Sequence, residues 1–182
     1  MSDGQLMPIG ARIIFSILLG LTPWHLLAQA PAPASPSPTP CSTRPEYAHF
    51  DFWLGQWDVT DNGKVIASSS IEKITGGCII LESYRQSDGY SGKSLNFFDS
   101  TLDRWRQTWV DSSGNASEFV GEYRDRAMRF EGESHRFGGE RILRRMTLFN
   151  LENHQVRQLS ERSVDAGRTW TVGYDFRYVR KP

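Results

Sequence analysis

The chain has 182 residues, enough for one domain and hardly for two. It carries 21 Lys+Arg against 21 Asp+Glu, a formal net charge of zero that argues against a nucleic-acid partner, since such a partner needs a basic face. Aromatic residues make up 12% of the sequence, and large flat side chains suit a half-buried sheet.

Residues 1–30 read as a secretory signal peptide. Arg12 precedes the apolar run Ile13 to Leu21, Trp24 to Leu27 extends it, and Ala28-Gln29-Ala30 supplies a small-x-small end. The run is short and broken by Pro23, so it makes a poor membrane span, although a retained N-terminal anchor is the alternative. Pro31 hinders cleavage after Ala30, which leaves Ala34–Ser35 as a second cleavage point, and Met7 is a second candidate start. Residues 31–40 alternate Pro with Ala, Ser and Thr and predict an extended, disordered linker. Cys41 follows Thr39-Pro40 and lacks the residues of a lipidation site. The expectation is a periplasmic or secreted protein with no membrane span after signal removal, its folded domain occupying residues 41–182. In such a compartment Cys41 and Cys78 form a candidate disulfide, the alternative being two free thiols.

Tyr47 to Gly55 is the one helix-like piece. Phe50, Trp53 and Leu54 fall at i, i+3 and i+4, and Gly55 ends the turn, which predicts a short plug or lid. From Gln56 onward, turn signals recur at strand spacing: Asp61-Asn62-Gly63, Gly76-Gly77, Asp88-Gly89, Asp99 to Asp103, Ser113-Gly114-Asn115, Gly138-Gly139, Glu152-Asn153 and Asp165-Ala166-Gly167. Between them, period-two alternation is plainest in two runs. Trp105, Gln107 and Trp109 share one face, and Trp170, Val172, Tyr174, Phe176 and Tyr178 share another. The prediction is an all-β antiparallel meander of about ten strands. A sheet of that size tends to curl shut and lose its edges, which favours a closed barrel over its rival, a two-sheet sandwich.

The run His49-Phe50-Asp51-Phe52-Trp53-Leu54-Gly55-Gln56-Trp57-Asp58-Val59-Thr60 resembles the opening of a bacterial family of exported proteins with a domain of unknown function. The likeness continues through Gly77-Cys78 with Glu82, Gly92 to Asn96, Trp105 to Gly114, Val156 to Gln158 and Ser163 to Trp170. The resemblance implies a calycin-like (lipocalin or nitrobindin-like) barrel with an internal pocket, and no established reaction.

Polar residues on the faces that the alternation predicts to point inward are the candidate site. Gln107 lies between Trp105 and Trp109, Ser94 and Asn96 share a face with Phe98, Gln158 and Ser160 with Val156, and Glu82 with Ile80 and Tyr84. A buried polar group without a partner costs about 1–3 kcal/mol, so several together imply an internal network, trapped water or a polar ligand. They satisfy one another in a closed core, line a ligand cavity, or face outward if the faces are inverted.

Other chemistry finds little footing. Haem is not expected, because there is no Cys-x-x-Cys-His and His49, His135 and His154 lie outside the aromatic-faced strands. Metal-ligand spacing is absent, and Glu131 and Glu133 read as a solvated acidic edge. Arg141, Arg144 and Arg145 cluster and read as a solvated strand edge, the alternative being a local basic patch. Ser87 to Ser94 echoes a phosphate loop but lacks its first Gly and its helix, and no Gly-x-Ser-x-Gly elbow or other catalytic set is present. The expected function is an exported binding protein holding a small, partly apolar (hydrophobic or amphipathic) molecule. Trp105, Gln107 and Trp109 would line the cavity, with Ser94, Asn96, Gln158 and Glu82 as polar contacts. The alternatives are an enzyme using Glu82 as acid or base, and a packed structural or interaction barrel with no ligand.

Overall fold

The computed structural model describes residues 40–135, 139 and 141–181. The expectations for the signal peptide, for the linker up to residue 39 and for Gly138 lie outside the described residues. The described chain forms ten antiparallel strands: β1 (Gly55–Asp61), β2 (Lys64–Ile74), β3 (Ile79–Gln86), β4 (Ser91–Asp99), β5 (Arg104–Asp111), β6 (Ala116–Arg124), β7 (Ala127–His135), β8 (Arg141–Asn150), β9 (Val156–Ser163) and β10 (Thr171–Arg180). Each pairs with its sequence neighbours, and β1 pairs with β10 from Trp57↔Arg180 to Thr60↔Arg177, so the sheet is a closed barrel, not a sandwich. Closure leaves no unpaired edge among these strands.

The local causes are those of a meander. Asp61 pairs with Lys64 across Asn62 and Gly63, whose φ values of 48° and 79° are what a two-residue hairpin turn requires. Period two then sorts the side chains. Trp57, Val59, Ala67, Ile71, Ile80, Phe98, Phe130, Leu148 and Val156 are buried, and their sequence neighbours on each strand are more exposed. The last strand departs from the simple alternation. Its register shifts between Val172 and Tyr174, so Val172 pairs with Glu161 on the outer face and Tyr174 with Ser160 on the inner one. Trp170 also lies outside, with the Arg145 guanidinium 4.2 Å above its ring. A bulge at Gly173 thus interrupts what the sequence shows as five residues in step.

The N-terminal piece is a plug of two 3₁₀ turns, Pro45–Ala48 and Asp51–Trp53. Phe50 and Trp53 are completely buried and stack on each other at 4.9 Å, and Phe50 meets Trp105 edge-on at 5.6 Å. The Trp57 indole N–H donates to the Trp53 carbonyl at 2.8 Å, and Lys73 Nζ lies 2.8 Å from Asp51 Oδ2, tying the plug to β1 and β2. A disulfide joins Cys41, in the short helix α1 (Pro40–Thr43), to Cys78 in the β2–β3 connection. Such a bridge fits folding in an oxidising compartment. No helix among the described residues is long and apolar enough to cross a membrane.

Candidate ligand-binding cavity

The plug fills only one end of the barrel. Above it, toward the β3–β4 and β5–β6 turns, lies a cavity of about 1080 Å³ that reaches Asp88 and Gly114–Asn115 at its mouth. Its walls set aromatic side chains among more numerous polar and charged ones. Tyr84 and Trp109 meet edge-on at 6.0 Å, and across the lumen Tyr174 and Phe176 stack at 4.5 Å. Trp109 takes its place because β4 offers a glycine beside it: a Cβ on Gly92 would collide with the indole ring.

The floor is polar. Glu82, on β3, is 3% exposed and sits at the centre of a hydrogen-bonded belt. Ser69 Oγ donates to its Oε1 at 2.8 Å and Ser94 Oγ to its Oε2 at 3.1 Å. Asn96 Nδ2 donates to Ser94 Oγ at 2.8 Å and to the Ile80 carbonyl at 3.2 Å, and Gln107 Nε2 donates to Asn96 Oδ1 at 2.6 Å. On the other side the Tyr178 hydroxyl lies 3.1 Å from Glu82 Oε1 and 2.9 Å from Gln158 Oε1, and Gln158 Nε2 points at Met146 Sδ at 2.9 Å. The belt therefore links β2, β3, β4, β5, β8, β9 and β10 in one layer.

Protons count in this layer. Tyr178 has one hydroxyl proton and two carbonyl-type oxygens within reach, so an ionised Glu82 would compete with Gln158 for it. A protonated Glu82 can instead donate to Tyr178 while Tyr178 donates to Gln158. Burial acts in the same direction, raising the Glu82 carboxyl to about 7 against the opposing pull of its three hydroxyl neighbours. Burial, followed by the Glu82 charge, also drives the Tyr178 phenol well above its ordinary value. At the mouth, burial and then Asp111 raise Tyr90 to about 12, its hydroxyl donating to Asp111 Oδ2 at 3.0 Å. Desolvation opposes ionisation of Asp111, but backbone N–H groups of Asn115 and Ser113 outweigh it and hold the carboxyl below its usual range.

The residues selected from the sequence separate into layers. Glu82, Gln107, Trp109 and Gln158 line the cavity. Ser94 and Asn96 are completely buried beneath it and serve the belt, while Trp105 lies lower still, packed between Phe50 and Phe98. Three belt members were not singled out, Ser69, Met146 and Tyr178. Ser69 was legible in the alternation Ala67-x-Ser69-x-Ile71, and Tyr178 in the aromatic face of the last strand.

The arginine cluster is not a uniform solvated edge. Arg141 and Arg145 face outward and pair with Glu133 at 2.6 Å and Glu161 at 2.7 Å. Arg144 falls in step with Ile142, Met146 and Leu148 and lines the cavity. Among the described residues no group of three or more His, Cys, Asp or Glu is placed to hold a metal. No protein-family model matches the chain, and no curated protein matches it.

Proposed function

We propose that this chain is an exported, periplasmic or secreted carrier that holds a small, partly apolar molecule in its barrel, a calycin-like member of the exported family its opening motif resembles. One observation carries the reading: the cavity of about 1080 Å³ has aromatic faces set among polar and charged side chains over a polar floor, with the plug confined to the opposite end. Ligand pockets commonly span about 300–1,000 Å³ and combine apolar walls with a few fixed polar groups. A barrel built only to pack would fill this space with side chains.

Two measurements test it. Native mass spectrometry of protein purified from its own host is expected to show extra mass that leaves on denaturation. Recombinant protein is expected to bind N-phenyl-1-naphthylamine, a neutral aromatic probe, with quenching of Trp109 fluorescence. A clean apo mass together with no dye binding would leave a structural barrel as the better account.

A second reading, acid–base catalysis in the same cavity, is favoured by the Glu82 carboxyl near pH 7. Against it, three hydroxyl groups already occupy the carboxyl oxygens.

A further inference from the structure

Resting on the carrier reading above, we infer that the ligand is an organic anion whose acidic group is held by Arg144 and Arg162 while its apolar body lies against the aromatic faces. The two arginines are direct cross-strand partners on β8 and β9, and both line the cavity. The next pair along the same two strands, Arg145 and Glu161 on the outer face, is an ordinary ion pair at 2.7 Å. The inner pair sets like charge against like, which is unfavourable in a sheet unless an anion sits between them.

Among the described residues neither guanidinium has a carboxylate partner. Arg144 Nε is buried without a hydrogen-bond partner. Arg106 and Arg129 also have buried, unpartnered Nε atoms, but each places a terminal nitrogen 3.8 Å from a carboxylate, Asp99 and Asp125 respectively. The acidic residues that border the cavity are otherwise engaged. Glu133 pairs with Arg141, Glu118 accepts the Thr108 hydroxyl, Asp88 accepts the Tyr90 N–H, and Asp111 accepts Tyr90 and its own turn.

The barrel order sets the arginines opposite Asp88, while Glu133, on β7 beside β8, is engaged by Arg141. β8 and β9 lie four or five strands away from β3 and β4 around the ten-strand ring, so the arginines stand across the lumen from Asp88. The β8–β9 wall thus presents an adjacent pair of cations able to grip an oxyanion through the planar guanidinium fork. Beside that wall, Tyr174 and Phe176 offer stacked faces to a flat body. Arg144 is near enough to Tyr174 to oppose, by its charge, the burial that raises that phenol to about 12.

The test uses two dyes with the same aromatic body. Anilinonaphthalene-8-sulfonate carries the anion, and N-phenyl-1-naphthylamine does not. The double substitution Arg144→Met and Arg162→Met is expected to lower sulfonate-dye affinity at least about ten-fold more than it lowers neutral-dye affinity. In the unaltered protein, raising NaCl from 20 mM to 500 mM, values chosen to span roughly the range over which screening sets in, is expected to weaken the sulfonate dye selectively. Displacement by 2-naphthoate or by 2-naphthyl phosphate then identifies whether a carboxylate or a phosphate fits the fork. Equal losses for both dyes, or failure of both naphthyl anions to displace the sulfonate dye, would overturn the anion site while leaving the carrier reading intact. Absence of neutral-dye binding would overturn the carrier reading itself, and this inference with it. Should the double variant not fold, Arg162→Gln alone, at the more exposed position, is expected to show the same selectivity in smaller measure.

Discussion

Glu82 is the acidic side chain buried in the core among the described residues, and its neighbours explain how it is tolerated. An ionised carboxylate there would lose its hydration and gain no cation, because the belt around it is made of hydroxyl and amide groups. Raised from 4.5 to about 7, the group binds its proton more tightly in the folded than in the unfolded chain. The stabilisation from the neutral form is therefore fully present below about pH 4.5 and is lost as pH climbs through about 7. The loss is of order 3 kcal/mol for this one group. Glu82→Gln, which stays neutral, is expected to match the parent near pH 4.5 and to exceed it by about that amount at pH 8. Urea denaturation of both proteins at the two pH values checks it, and parallel pH profiles would show that water reaches the carboxyl and keeps it ordinary. The same variant separates carrier from catalyst: an acid–base enzyme would bind but no longer turn over.

The plug is the element that decides where the cavity begins. Its two 3₁₀ turns are too short to be stable alone, so their order comes from burial of Phe50 and Trp53 and from the ties at both flanks. The Cys41–Cys78 bridge holds the first of these ties and closes a sequence separation of 37 residues. In the chain-entropy account a loop of that length contributes about 3–4 kcal/mol. Replacing both cysteines with serine is expected to lower unfolding free energy by about 2–4 kcal/mol, read as a lower urea midpoint. An unchanged midpoint would mean that the aromatic stack alone sets the plug. The helical spacing of Phe50, Trp53 and Leu54 made this plug legible in the sequence, but its depth was not. Trp105 and Trp109 are equivalent in periodicity, both inward on β5, yet one is packed against Phe50 and the other lines the cavity. Period two reports the face of a strand and says nothing of height along the barrel axis, which only the docked plug fixes.

For the whole molecule, the antiparallel meander was legible because turn residues and alternation agree along nearly its full length. Closure was an argument from edges, and the pairing of β1 with β10 supplies it. What the pattern hid are the places where it is bent or charged: the bulge that turns Trp170 and Val172 outward, and Arg144, whose charge suggested solvent although Ile142, Met146 and Leu148 in step with it marked the inner face. The closing seam also has a kinetic consequence. Thr60 Oγ1 meets the Arg177 carbonyl across 117 residues of chain, whereas the other strand pairs join sequence neighbours. Loop-closure entropy opposes the seam until the hairpins exist, so it is expected to form after the rate-limiting step. Val59 is completely buried at the seam, and Val59→Ala is expected to cost about 1–2 kcal/mol, chiefly by faster unfolding. Phe130→Leu, on the inner face of the β6–β7 hairpin, is expected to slow folding instead. Stopped-flow denaturant kinetics on the two variants decides the order: if Val59→Ala slows folding as much as it destabilises the protein, the barrel closes before its hairpins set, and its ends must meet early.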